Sequence, residues 1–196
     1  DLMLQGEQSL PNLPKFGMQM VLNGQFENLT WFGRGPHESY WDRKTSARIS
    51  LYKSRVIDQI HHYSRPQENA NKADVRWFAL QNGSTTGLLV VSDGVINASA
   101  WPYLQKDIDF VVGQDGSASA SGLVPVTTKH GAEVPMRDLV TVNIDHLQMG
   151  VGGDTSWGRP VHKQYTIPAQ NYQYRFTLKP FKNNLQSLSE IANTVK

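Results

Sequence analysis

Apolar and polar residues alternate with a period of two along most of this chain, the pattern of strands that bury one face and wet the other. Asp74-Val-Arg-Trp-Phe-Ala-Leu80 alternates around Val75 and Trp77, and Leu139-Val-Thr-Val-Asn-Ile144 and Tyr172-Gln-Tyr-Arg-Phe-Thr-Leu178 alternate again. Residues 16–22, 28–33, 87–92 and 164–167 read as further strands. Asn23-Gly24, Asn82-Gly83, Asp93-Gly94, Asp115-Gly116 and Gly152-Gly153 lie between them as turn signals. Short strands separated by such turns predict an all-β sandwich of antiparallel hairpins. Helical spacing occurs in the tail, at Leu185, Leu188, Ile191 and Val195, and predicts a frayed or docking terminal helix. Trp31 and Trp77 fall in alternating strands and are assigned to the core. Trp101-Pro102-Tyr103 reads as a buried loop anchor.

Composition narrows the chemistry. The 196 residues, 39% of them hydrophobic, can bury a core without covalent staples. With no Cys there is no disulfide, no thiolate nucleophile and no sulfur-ligated zinc, and the chain suits cytosol or periplasm equally. No apolar run approaches the ~18 residues of a membrane-spanning helix. The 19 basic and 17 acidic residues are interspersed, without the basic stripe of a nucleic-acid binder. The chain opens at Asp1 rather than Met, which reads as a piece of a longer polypeptide.

Three long loops combine polar and aromatic residues: Gly33 to Arg43, His61 to Asn69 and Gly150 to Gly158. On a rigid sandwich, such loops carry binding residues. Glycoside hydrolysis needs two carboxyl groups, ~5–5.5 Å apart for retention and ~6.5–9.5 Å for inversion. Only six Glu are present, with Glu38 and Glu68 in two of these loops. They could pair as acid and nucleophile, or accept loop hydrogen bonds and pair with Arg34, Arg43 or Arg65. His61-His62 and His37 could bind a metal or act as acid and base, but adjacent His residues on a strand face opposite sides. Trp157 follows Gly152-Gly153-Asp154 and precedes Gly158, so its ring has little bulk around it. It could offer an indole platform to a pyranose or fold back to cap the core.

The loops, in this order and spacing, resemble the C-terminal domain of large bacterial β-galactosidases of glycoside hydrolase family two. The matching stretches are Leu13-Pro-Lys-Phe-Gly17, Trp31-Phe-Gly-Arg-Gly-Pro-His-Glu-Ser-Tyr40 with Asp42-Arg43, Arg65-Pro-Gln-Glu-Asn69, Asp74-Val-Arg-Trp77 and Met149-Gly-Val-Gly-Gly-Asp-Thr-Ser-Trp157. The chain departs from the family at Trp41, Ala70 and Thr155, where Pro, Gly and Asp are common. The resemblance implies an antiparallel β-supersandwich, galactose mutarotase-like and here an incomplete copy. It assigns residues 1–180 to that domain and 181–196 to a helical tail.

The resemblance further implies a retaining β-galactosidase as parent, with its catalytic Glu pair on a TIM barrel outside this chain. The family's divalent, magnesium-like cation and its monovalent cation would likewise be held elsewhere, and no metal or cofactor by this chain. What it would lend is Trp157, whose indole packs against bound sugar. Expected partners are a galactoside, the parent's remaining domains and a second copy paired through an unprotected sheet edge. Neither nucleic acid nor membrane is expected. Two rival readings remain: a free-standing mutarotase or epimerase using His61 or His62 with Glu38 or Glu68, and a non-catalytic carbohydrate-binding module.

Overall fold

The computed structural model describes residues 2–4, 10–64, 67–83, 86–108, 110–112, 123–125, 130–155, 160–182 and 187–195, with 2–4, 110–112 and 123–125 described for backbone only. The strands are β1 (Leu2–Leu4), β2 (Lys15–Asn23), β3 (Asn28–Gly35), β4 (Arg48–Arg55), β5 (Lys72–Asn82) and β6 (Thr86–Trp101). They continue with β7 (Phe110–Val112), β8 (Leu123–Pro125), β9 (Leu139–Gln148), β10 (Tyr172–Tyr174) and β11 (Phe176–Lys182), followed by helix α1 (Leu188–Asn193). The main sheet runs β2-β9-β6-β5-β3-β4, with β11 attached to β6; β1-β10 and β7-β8 form two small ladders. Every ladder is antiparallel, as the all-β prediction requires.

Period-two alternation accounts for the core. Leu29 and Trp31 of β3 stand opposite Leu80 and Phe78 of β5, and Phe78 stands opposite Val90 of β6. These residues join Val140, Val142 and Ile144 of β9 in one buried cluster, against which Met18, Met20 and Leu22 of β2 pack. Trp31 is 2% exposed and Trp77 6%, both in the core as predicted, and burial of each such side chain stabilises by about 1.5–3 kcal/mol. Trp101 is fully buried at the end of β6 with Tyr103, Ile108 and Val134, anchoring a loop as predicted.

The opposite face of β5 and β6 carries Trp77, Ala79, Leu89 and Val91, and α1 covers it with Ile191 and Ala192. A reciprocal capping box starts that helix: Ser187 Oγ accepts from the Glu190 amide at 3.2 Å, and Glu190 Oε2 accepts from the Ser187 amide at 2.7 Å.

Three segments differ from the pattern-based expectation. Residues 164–167 hold a 3-10 turn over Lys163–Tyr165 and a single bridge from Leu13 to Ile167, not a strand, because His162 and Lys163 carbonyls close local turns. Asp93-Gly94 is no turn; β6 passes through it and shifts register against β5. Strand β4 escapes the pattern because its apolar Ile49 and Leu51 point outward, 42% and 48% exposed, on an edge interspersed with Arg, Ser and Lys. The Asp115-Gly116 turn signal lies outside the described residues.

Candidate functional site

The first two loops leave the sheet at one end, after β3 and before β5, whereas β9 runs in the same direction as β5 and delivers the third loop from its far end; the register sets Lys72 beside Ala98, and Asn97 beside Asp145. Side chains then stitch them together. Glu38, on the first loop, accepts from Arg43 Nη2 at 2.9 Å and from the Tyr40 hydroxyl at 3.2 Å. It also accepts from the Tyr63 hydroxyl and from the Ala70 amide at 3.0 Å. Four donors fill this carboxylate, whose side chain is 12% exposed. Burial, together with the negative charge of Glu38, holds the Tyr40 phenol well above its ordinary pKa, so it remains a donor. Ala70 has φ +61°, a left-handed conformation that favours glycine, and the Glu38 contact holds it there.

The second loop is closed by Asn69, whose side chain accepts from the His61 amide at 2.9 Å and donates to the His61 carbonyl at 2.7 Å. Asn71 Nδ2 donates to the Ser39 carbonyl at 2.7 Å, joining both loops again. His61 packs against Tyr63 with ring centroids 4.3 Å apart, His37 meets Ser46 Oγ at 3.0 Å and Glu68 lies 3.5 Å from Lys15. Glu38 and Tyr63 are thus brought together, while the ionic partner of Glu68 is on β2. The structure gives Glu38 the loop-stapling role. Arg65 lies outside the described residues.

Under these loops, Lys72 is 2% exposed; its Nζ donates to the Ala70 carbonyl at 3.1 Å and sits 5.3 Å from the Trp31 ring. Burial pushes its pKa down to about 8, against the opposing pull of Glu38. Asp74, with φ +53°, accepts from Arg34 Nε at 2.5 Å and Lys44 Nζ at 2.8 Å. Burial would raise its pKa, but these two cations outweigh that and hold the carboxyl below its usual range. Such a left-handed Asp persists only where its surroundings over-determine it.

The third loop is gripped by Asp42, one of the residues that composition alone left without a role. Its Oδ2 accepts from the Gly152 amide at 2.7 Å, and a Cβ on Gly150 would come within 2.7 Å of its carboxyl carbon. A side chain there would push the Asp42 carboxylate out of place. Asp42 Oδ1 is buried and finds no hydrogen-bond partner among the described residues. The Gly150 amide donates to the Tyr165 carbonyl at 2.9 Å, and Tyr165 meets the edge of Trp41 at 5.9 Å. Asp154 and His162 close the loop's neck at 2.7 Å. Trp157 itself lies outside the described residues. Among the described residues, no three His, Asp or Glu side chains gather closely enough to hold a metal ion.

Fold and loops together define an all-β antiparallel domain whose long loops are tied to one another by Glu38 and Asp42. The chain belongs to the family described as the beta galactosidase small chain, which it matches over residues 2–178. It is similar to the β-galactosidase of Priestia megaterium, 39% identical over 174 residues, 88% of this chain and 15% of that protein. The β-galactosidase of Halalkalibacterium halodurans is 33% identical over 175 residues, 88% of this chain and 16% of its own length. That of Vibrio cholerae is 34% identical over 171 residues, 87% of this chain and 14% of its own. The chain therefore spans about 15% of the length of the curated relatives it matches.

Proposed function

We propose that this chain serves as the C-terminal domain of a retaining β-galactosidase that hydrolyses terminal β-D-galactosides through a glycosyl-enzyme intermediate. The single observation that supports this most is the family match over residues 2–178. In this reading the domain is not itself catalytic. It braces the parent's other domains and lends Trp157 to the sugar site, where an indole face packs against the C–H face of a pyranose. The grip of Asp42 on Gly152 supports the second part, because it holds the stem of the loop that leads to Trp157.

The galactose mutarotase-like supersandwich, the division at residue 180, cation sites in the parent outside this chain and pairing with a second copy belong to the same reading. So does the bare outer patch of Phe32, Ile49 and Leu51 as a surface for those partners. Trp157→Ala in the intact parent enzyme tests it. KM for a chromogenic β-galactoside should rise about tenfold or more, the loss of one ring contact. Unchanged KM and kcat would make Trp157 a core cap. Turnover by this polypeptide alone would overturn the non-catalytic assignment.

A further inference from the structure

The sheet forks along β6, and the fork is a groove. One edge of β6 pairs with β11 from Thr86 to Ser92 and with β9 from Asn97 to Trp101. Between these ladders, Asp93 to Ile96 pair with neither strand, and β9 turns away to follow β2 as far as Gln148. Two adjoining cavities fill the gap, of about 530 and 270 Å³, sharing Val95, Ile96 and His146 as walls. Each is of the order of the ~300–1,000 Å³ that small-molecule sites occupy.

The lining has the character of a sugar site. His146 stands in the middle, its ring stacked on Tyr174 at 5.3 Å, and Trp41 stands at the end nearest the Asp42-held loop. Both rings can meet pyranose C–H faces. Side-chain amides come from Asn97, Gln148 and Gln173. Gln148 is 4% exposed and its Oε1 has no hydrogen-bond partner among the described residues, so the groove wall holds an unanswered acceptor. The charges are already matched: Lys44 with Asp74 at 2.8 Å and Arg175 with Asp93 at 3.8 Å. A groove with paired charges and amide side chains in its lining favours a neutral ligand with many hydroxyls over an anion. Val95 lines the groove 47% exposed, an apolar side chain left in the open.

We infer that the fork between β9 and β11 is a saccharide-binding groove that takes a neutral galactose-containing disaccharide or longer chain. The choice of galactose rests on the proposed function; the groove does not. Lactose is the probe, titrated by ligand-observed NMR or calorimetry into the full 196-residue chain, where no turnover enters the readout. Saturable binding in the millimolar range is expected, a free energy of about −4 kcal/mol. Val95→Glu, at an exposed position that leaves the core untouched, should weaken it about tenfold. Trp41→Ala should do the same and Trp41→Phe restore most of it, with thermal unfolding confirming that each variant is folded.

Absence of saturable binding would overturn the inference. So would binding that Val95→Glu and Trp41→Ala both leave unchanged. A groove that instead seats another part of a longer polypeptide would leave lactose unbound, which counts against it equally. Because the proposed function is tested by turnover of the parent enzyme, either idea can fail without the other.

Discussion

Two carboxylates on one loop, Glu38 and Asp42, hold their neighbours in opposite ways. Glu38 is saturated: two phenols, a guanidinium and a backbone amide converge on it, and it ties the first two loops into one block. Asp42 holds the third loop by the Gly152 amide and keeps Oδ1 buried without a partner among the described residues. A filled carboxylate specifies a rigid arrangement, because every donor lost leaves another group unpaired. Asp42, gripping one backbone amide among the described residues, fixes a single point of its loop. The difference separates the part of the loop cluster that builds the domain from the part that leads toward Trp157.

The comparison breaks most visibly at Glu38. Glu38→Ala leaves Arg43, Tyr40, Tyr63 and the Ala70 amide without their common acceptor, and should destabilise by as much as about 5 kcal/mol. Urea unfolding measures it. Glu38→Gln should recover part of the loss, since one amide oxygen still accepts.

A third carboxylate sharpens the contrast through pH. Asp145 on β9 is 3% exposed, and burial pushes its pKa up to about 7, Lys15 opposing and Glu68 adding to the rise. Its folded pKa lies above the unfolded one, so its contribution to stability is full below about pH 4 and is lost as pH rises through 7. Across that window the unfolding free energy should fall by about 4 kcal/mol from this group. Asp145→Asn should flatten that slope, and an unchanged slope would mean that Asp145 ionises freely in the folded state. Lys72 gives the mirror image. Its folded pKa of about 8 lies below the unfolded value, so stability should climb from pH 8 to about 10.5.

Asp42→Ala should act locally. Global stability should drop by about 1–2 kcal/mol, while exchange of the Gly152 amide hydrogen quickens by about tenfold or more. A global loss as large as that of Glu38→Ala would erase the distinction between the two carboxylates. The smallest effect is expected at Ala70→Gly. Relief of the left-handed backbone, about 1 kcal/mol, opposes loss of a buried methyl of similar size. The melting temperature should barely move.

Much of this was readable along the chain. Alternation located β2, β3, β5 and β9, and placed Trp31 and Trp77 inward, because a half-buried strand imposes a period of two on its residues. Where burial does not follow that rule, reading failed: β4 exposes its apolar residues on an edge, and β6 continues through Asp93-Gly94, a dipeptide that elsewhere turns. The candidate site was legible as three loops but not as one object. Glu38 stands out as a loop carboxylate, yet nothing local says that Tyr63 and Ala70 come to it. Asp42 carried no signal beyond a family pattern, since its partners lie over a hundred positions away at Gly150 and Gly152.

What the sequence determined by itself is therefore the class of strand, the turns, the core faces and the family, all properties of short windows or of the order of motifs. Tertiary structure alone decided that Glu38 gathers four donors and that Asp42 grips the third loop. It also decided that β6 exchanges β9 for β11 and so opens a groove beside His146. Those outcomes depend on contacts between distant segments, whose geometry is set by register and packing rather than by any local preference.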